Sequence, residues 1–151
     1  MSEAKGMSLI VKRITKITVS LIFLFGVYIV LHGHLTPGGG FAGGVIIALS
    51  FIHLVLAFGK EAALEKLNET RISIIESSGG LMFLGIGLLG LLGGYFFLNV
   101  IPKGRPFDLF SSGIIVLCNL AIFLKVGAGL FSIFIALSIM RMPLDSEKEK
   151  K

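Results

Sequence analysis

Charge is scarce in this chain, cysteine is almost absent, and no carboxylate lies in the middle of an apolar run. Only 15% of the 151 residues are charged, against 54% hydrophobic, and the mean hydropathy is +0.93. Four apolar runs take up most of the length, which leaves no soluble domain of useful size and makes the chain a membrane protein. The single cysteine, Cys118, sits inside one of those runs and forms no disulfide within the chain. A protein that bound and released Na⁺ alone would need oxygen ligands at depth, and this one offers chiefly Ser, Thr, Asn119 and carbonyls. No Lys-Ser or Lys-Thr follows the glycines, so the phosphate-binding P-loop is excluded. A Gly-x-Gly-x-x-Gly string through Gly38, Gly40 and Gly43 lacks the preceding strand that a dinucleotide site requires. The net charge of +5 does not imply nucleic acid, because most Lys and Arg flank the apolar runs, where they set topology.

What is present is organised around Gly33-His34-Leu35-Thr36-Pro37-Gly38-Gly39-Gly40-Phe41, an uncharged turn between two apolar runs. Pro37 fixes one backbone angle and biases Thr36 away from the helical region, while the glycines admit conformations closed to other residues. A turn without charge suits a place packed against protein or lining a cavity near membrane depth, where irregular backbone must find internal partners. The chain is therefore expected to be all-α, a single membrane domain over residues 1–151 with four transmembrane helices at about 14–32, 41–58, 77–101 and 109–140. A short surface helix is expected between 59 and 76, and Asn68-Glu69-Thr70 carries no weight as a glycosylation acceptor. Gly80, Gly87, Gly90 and Gly94 fall along one side of the third span, either as packing within the chain or as an interface between subunits. The fourth run is either one long helix or breaks near Gly127-Ala128-Gly129. Lys and Arg number four in the N-terminal tail, three between 59 and 76, and four at the C-terminal end. The turn has none and the 99–112 loop two, which predicts cytoplasmic termini and an outward turn.

Lys125 is the most informative charge, since a lysine in an apolar segment faces the bundle interior, water or a partner. Burial would let it exchange a proton or gate cations. The alternatives are snorkelling to an interface or a structural pair with a carboxylate of another subunit, and Glu76, at the inner start of the third span, is a candidate partner within the chain. Asn119 joins these two as an ion-path candidate. His53, mid-way along the second span, is either a proton relay or a hydrogen-bonded packing residue. His32 and His34 have no Cys, Asp or Glu nearby, so neither a metal nor any other cofactor is expected.

The stretch from Gly33 to Gly44 resembles the Gly-His-x-x-Pro-Gly-Gly-Gly-Phe-x-x-Gly signature of the B subunit of Mrp-type (Mnh-type) multisubunit sodium/proton antiporters. Related subunits occur in the antiporter-like modules of membrane-bound hydrogenases. The resemblance implies a non-catalytic, four-span subunit of a complex that moves Na⁺ and H⁺ across the cell membrane, with other Mrp-like membrane subunits as partners. It makes His34, Pro37, Gly38, Gly39, Gly40 and Phe41 a structural turn. The fourth run departs from the antiporter form, being longer and carrying Asn119 and Lys125, which favours the hydrogenase-type branch with its iron-sulfur subunits. The alternative is a small channel or transporter working as a homo-oligomer.

Overall fold

The computed structural model describes residues 7–59, 68–105, 107–109 and 111–148, and side chains as far as residue 138. These residues form four helices: α1 (Leu9–Leu31), α2 (Gly40–Phe58), α3 (Glu69–Leu91) and α4 (Ile114–Lys148). Each contains a segment long and apolar enough to cross a membrane, Ile114–Ser138 in the case of α4.

Helix α1 opens at Ser8, whose side chain accepts from the Val11 N–H. It returns through the glycine turn to α2, so that its N-terminus lies beside the C-terminus of α2. There the Lys12 and Lys16 ammonium groups sit 5.8 and 5.6 Å from the centre of the Phe58 ring. An aromatic face shared by two cations at a helix end suits the polar boundary of a bilayer.

Adjacent glycines place α2 between two neighbours. A Cβ on Gly43 would meet Val30 and the Gly26 carbonyl of α1, whereas one on Gly44 would lie 3.1 Å from the Phe123 carbonyl of α4. Small residues at these two points let both backbones come close, the usual device where lipid supplies no hydrophobic drive between helices. Helix α3 packs chiefly on α4, giving the lateral order α1, α2, α4, α3. Val55, Ile72, Phe131 and Ile135 form the buried cluster where α2, α3 and α4 meet.

Several helix bounds differ from expectation, those of α3 at both ends. Helix α3 runs from Glu69 to Leu91 rather than 77–101. Its start is earlier because the Asn68 side chain accepts from the Thr70 N–H and caps a helix whose first two turns are polar. Residues 60–67 of the expected surface helix lie outside the described residues, and 69–76 belongs to α3. The helix ends early because Gly94 turns with φ of +101° and the chain folds back. The Phe97 N–H then donates to the Gly87 carbonyl at 3.2 Å. Gly87 and Gly90 are thus covered by residues 95–98 of their own chain, and Gly94 lies beyond the helix. Helix α4 starts at Ile114, where the Asn99 side chain accepts the first N–H at 3.1 Å. It continues unbroken through Gly127–Gly129, and its 35 residues span ~52 Å. Gly127 is held against the backbone of Gly44, which places a neighbour at the point where the helix was open to breaking.

Candidate functional site

Two polar constellations stand out, one at the turn and one half-way along α4. The turn is closed first by its own backbone: Leu35 and Thr36 N–H groups both donate to the His32 carbonyl, as does the Thr36 hydroxyl at 3.2 Å. Gly39 has φ of +111° and ψ of −165°, a conformation essentially restricted to glycine, and it leads directly into α2. Gly40 lies so close to the Asn119 carbonyl of α4 that a Cβ there has no space. The Gly40 N–H donates to Asn119 Oδ1 at 3.3 Å, which supplies an acceptor to the N-terminus of α2 from a different helix.

His34 ties the same turn to the other loop. Its Nε2 donates to the Asp108 carbonyl at 3.2 Å, leaving Nδ1 as an acceptor that is buried without a partner. Asn119 Nδ2 is likewise buried and unpaired. His32 turns elsewhere: its Nδ1 lies 3.1 Å from the Tyr28 carbonyl and its ring stacks on Tyr28 at 4.2 Å. The two histidines therefore do not converge, and among the described residues no three His, Cys, Asp or Glu side chains come together. Pro37 and Gly38 are exposed beside the turn, and Phe41 is exposed at the start of α2.

The second constellation is an ion pair. Lys125 Nζ donates to Glu76 Oε1 at 3.1 Å, joining α4 to α3 across 49 positions of sequence. Gly79 lets the two helices approach there, since its Cβ would lie 2.7 Å from the Lys125 backbone nitrogen. Glu76 sits seven residues into α3 rather than at its start. Lys125 lies eleven residues past Ile114, ~17 Å along the helix and near the centre of the apolar segment Ile114–Ser138. Its side chain keeps 54% of its surface exposed, and that of Glu76 36%. The pair thus faces outward from the four helices instead of into the bundle.

His53 is also exposed, on the outer face of α2, and it makes no hydrogen bond among the described residues. Asn119 stands nearly two turns from Lys125 along α4, as the floor of the glycine turn. Its capping role was beyond sequence reasoning, because nothing local in α4 says that the start of α2 lies against it.

Several comparisons bear on what such a chain is. The family described as a domain related to the MnhB subunit of the Na⁺/H⁺ antiporter matches residues 10–132. An uncharacterised protein of Methanocaldococcus jannaschii is 36% identical over 142 residues, covering 87% of this chain and 53% of that protein. A putative antiporter subunit, mnhB2, of Staphylococcus aureus is 41% identical over 63 residues, covering 42% of this chain and 45% of that protein. Among solved structures, a chain of the membrane-bound sulfane sulfur reductase, an archaeal respiratory membrane complex, matches with a TM-score of 0.75 and 33% identity. That match covers 89% of this chain and 59% of the other. The chain therefore spans about half the length of the relatives it matches. With the glycine turn, the four apolar helices and a family match running from α1 into α4, this chain belongs to the family of domains related to the MnhB subunit of the Na⁺/H⁺ antiporter.

Proposed function

We propose that this chain is an integral membrane subunit, without a catalytic site of its own, of a multisubunit complex that moves Na⁺ and H⁺ across the cell membrane. The observation that carries the proposal is the helix arrangement it has in common, over 89% of its length, with a chain of a respiratory membrane complex. That likeness, together with the length of α4, favours a redox-driven assembly with iron-sulfur or hydrogenase-like subunits over a free-standing antiporter. Both termini lie on the cytoplasmic side in this proposal, because Lys and Arg gather at the ends and the 59–76 segment and are missing from the glycine turn.

Within the complex, Lys125 and Glu76 are the residues best placed to touch an ion path. They are the ionisable pair nearest the middle of the apolar segment, and intramembrane ionisable groups usually mark such paths. His53 and Asn119 are secondary candidates, the first for its depth on an exposed face and the second for its unpaired amide nitrogen.

Proteoliposome flux tests the proposal. The purified chain alone is expected to carry neither Na⁺ nor H⁺, whereas the assembled complex does. Lys125→Ala should slow translocation by about tenfold, as a ~1.4 kcal/mol rise in one barrier would, while the subunits still purify together. Ion flux from the isolated chain would instead make it a homo-oligomeric channel. Loss of assembly in Lys125→Ala would return that lysine to a structural role.

A further inference from the structure

The Lys125–Glu76 pair is the only ion pair between helices among the described residues, and it is turned outward at mid-depth. Hydrocarbon offers neither an acceptor for the remaining Lys125 N–H groups nor a donor for the second Glu76 oxygen, and the polar ends of the spans lie ~17 Å away along α4 toward Ile114 and ~10 Å away along α3 toward Glu69. Lysine at such a depth costs about 3 kcal/mol on insertion scales, and carboxylates are similarly disfavoured. Something polar must therefore cover the pair.

The surface around it limits what that can be. A Cβ on Gly80 would lie 3.6 Å from Lys125 Cδ, and one on Gly129 would lie 3.7 Å from the Glu76 carboxyl group. The two glycines let both side chains rest low across the helices. Successive residues of a helix are ~100° apart, so between 118 and 136 one ~60° sector of α4 holds Cys118, Lys125, Gly129, Ser132 and Ala136. No Leu, Ile, Val or Phe falls in that sector, although these residues dominate the helix elsewhere. The opposite side of the α3–α4 seam is different. It holds an apolar crevice of about 240 Å³ lined by Phe23, Phe51, Ile75 and Phe131 among others. Lipid tails suit the crevice, while the small, polar sector suits a helix that approaches closely and brings a hydrogen bond with it.

We propose that the α3–α4 face centred on Lys125, Glu76, Gly80 and Gly129 is the docking surface for a transmembrane helix of a neighbouring subunit, one presenting a polar side chain that accepts from Lys125 Nζ. This rests on the chain's being a subunit of a larger membrane complex, and it places any path through the ion pair at a boundary between subunits rather than within this chain.

A benzophenone amino acid placed at Ser132, and separately at Ala136, tests the surface in the full chain within native membranes; both positions are exposed on that sector. Illumination should give an adduct with the same membrane subunit from both sites. Gly129→Leu should lower its yield about tenfold, whereas Gly85→Leu, at a glycine with nothing within 4 Å, should not. An intact complex that yields only lipid adducts, or no adduct, overturns the docking surface while leaving the subunit proposal standing. Adducts with a second copy of this chain overturn the choice of partner, and a chain that purifies without other subunits overturns the subunit proposal itself. Because the adducts are read first in the unsubstituted background, the outcome does not depend on Gly129→Leu folding normally.

Discussion

At the junction of α1, α2 and α4, polar groups are mostly answered within the chain; at the seam of α3 and α4, the most strongly polar pair is left facing out. The Gly40 N–H finds Asn119, His34 finds the Asp108 carbonyl, and the Thr36 hydroxyl finds His32. Lys125 and Glu76 find each other and keep much of their surface uncovered. The first arrangement is that of a structural joint whose bonds close backbone that lipid could not satisfy, with His34 Nδ1 and Asn119 Nδ2 left as its unpaired atoms. The second is stable in a membrane only with a neighbour or water beside it. The contrast separates what holds this chain together from what it offers to an assembly.

The junction should break most severely at Gly40. Gly40→Val drives a branched side chain into the Asn119 carbonyl and Ile122, and overpacking of ~3 kcal/mol or more is expected because backbone stands in the way. The checkable result is failure of the chain to accumulate in membranes, in contrast to Gly85→Leu. Asn119→Ala should be milder. It removes the acceptor for the Gly40 N–H, a capping loss of about 1 kcal/mol, partly offset because its own Nδ2 has no partner to lose. A fall of a few degrees in the unfolding midpoint in detergent would agree, with α2 exchanging amide hydrogens faster at its first turn. Smallest of all should be His53→Leu, within about 0.5 kcal/mol on the folded chain, because the imidazole is exposed and bonded to nothing described. Unchanged thermal stability together with lost ion transport would promote His53 from bystander to participant.

Much of this architecture was legible before any coordinates. Apolar length gave four spans, and the depth of Lys125 along α4 pointed to Glu76 as its partner, as the ion pair bears out. The composition of the turn left open packing against protein or the lining of a cavity, and contacts with Asn119 and Asp108 supply the first of these. Helix ends were harder, because hydropathy marks where hydrocarbon begins and not where hydrogen bonding stops. Hence the polar first turns of α3 were missed, and so was its early end, where Gly94 turns the chain and Phe97 folds back on Gly87. Gly79, outside the expected glycine stripe, makes the contact with the α4 backbone, since helical spacing locates a stripe but not the neighbour that chooses its edge. Asn119 as a cap for α2 needed knowledge of which helices touch, which no local pattern carries.

The most direct test of the central claim is the composition of the native assembly, read by mass spectrometry after gentle detergent extraction through this chain. The account predicts antiporter-like membrane subunits travelling with it, accompanied by iron-sulfur or hydrogenase-like subunits. Recovery of this chain only with copies of itself would contradict the account.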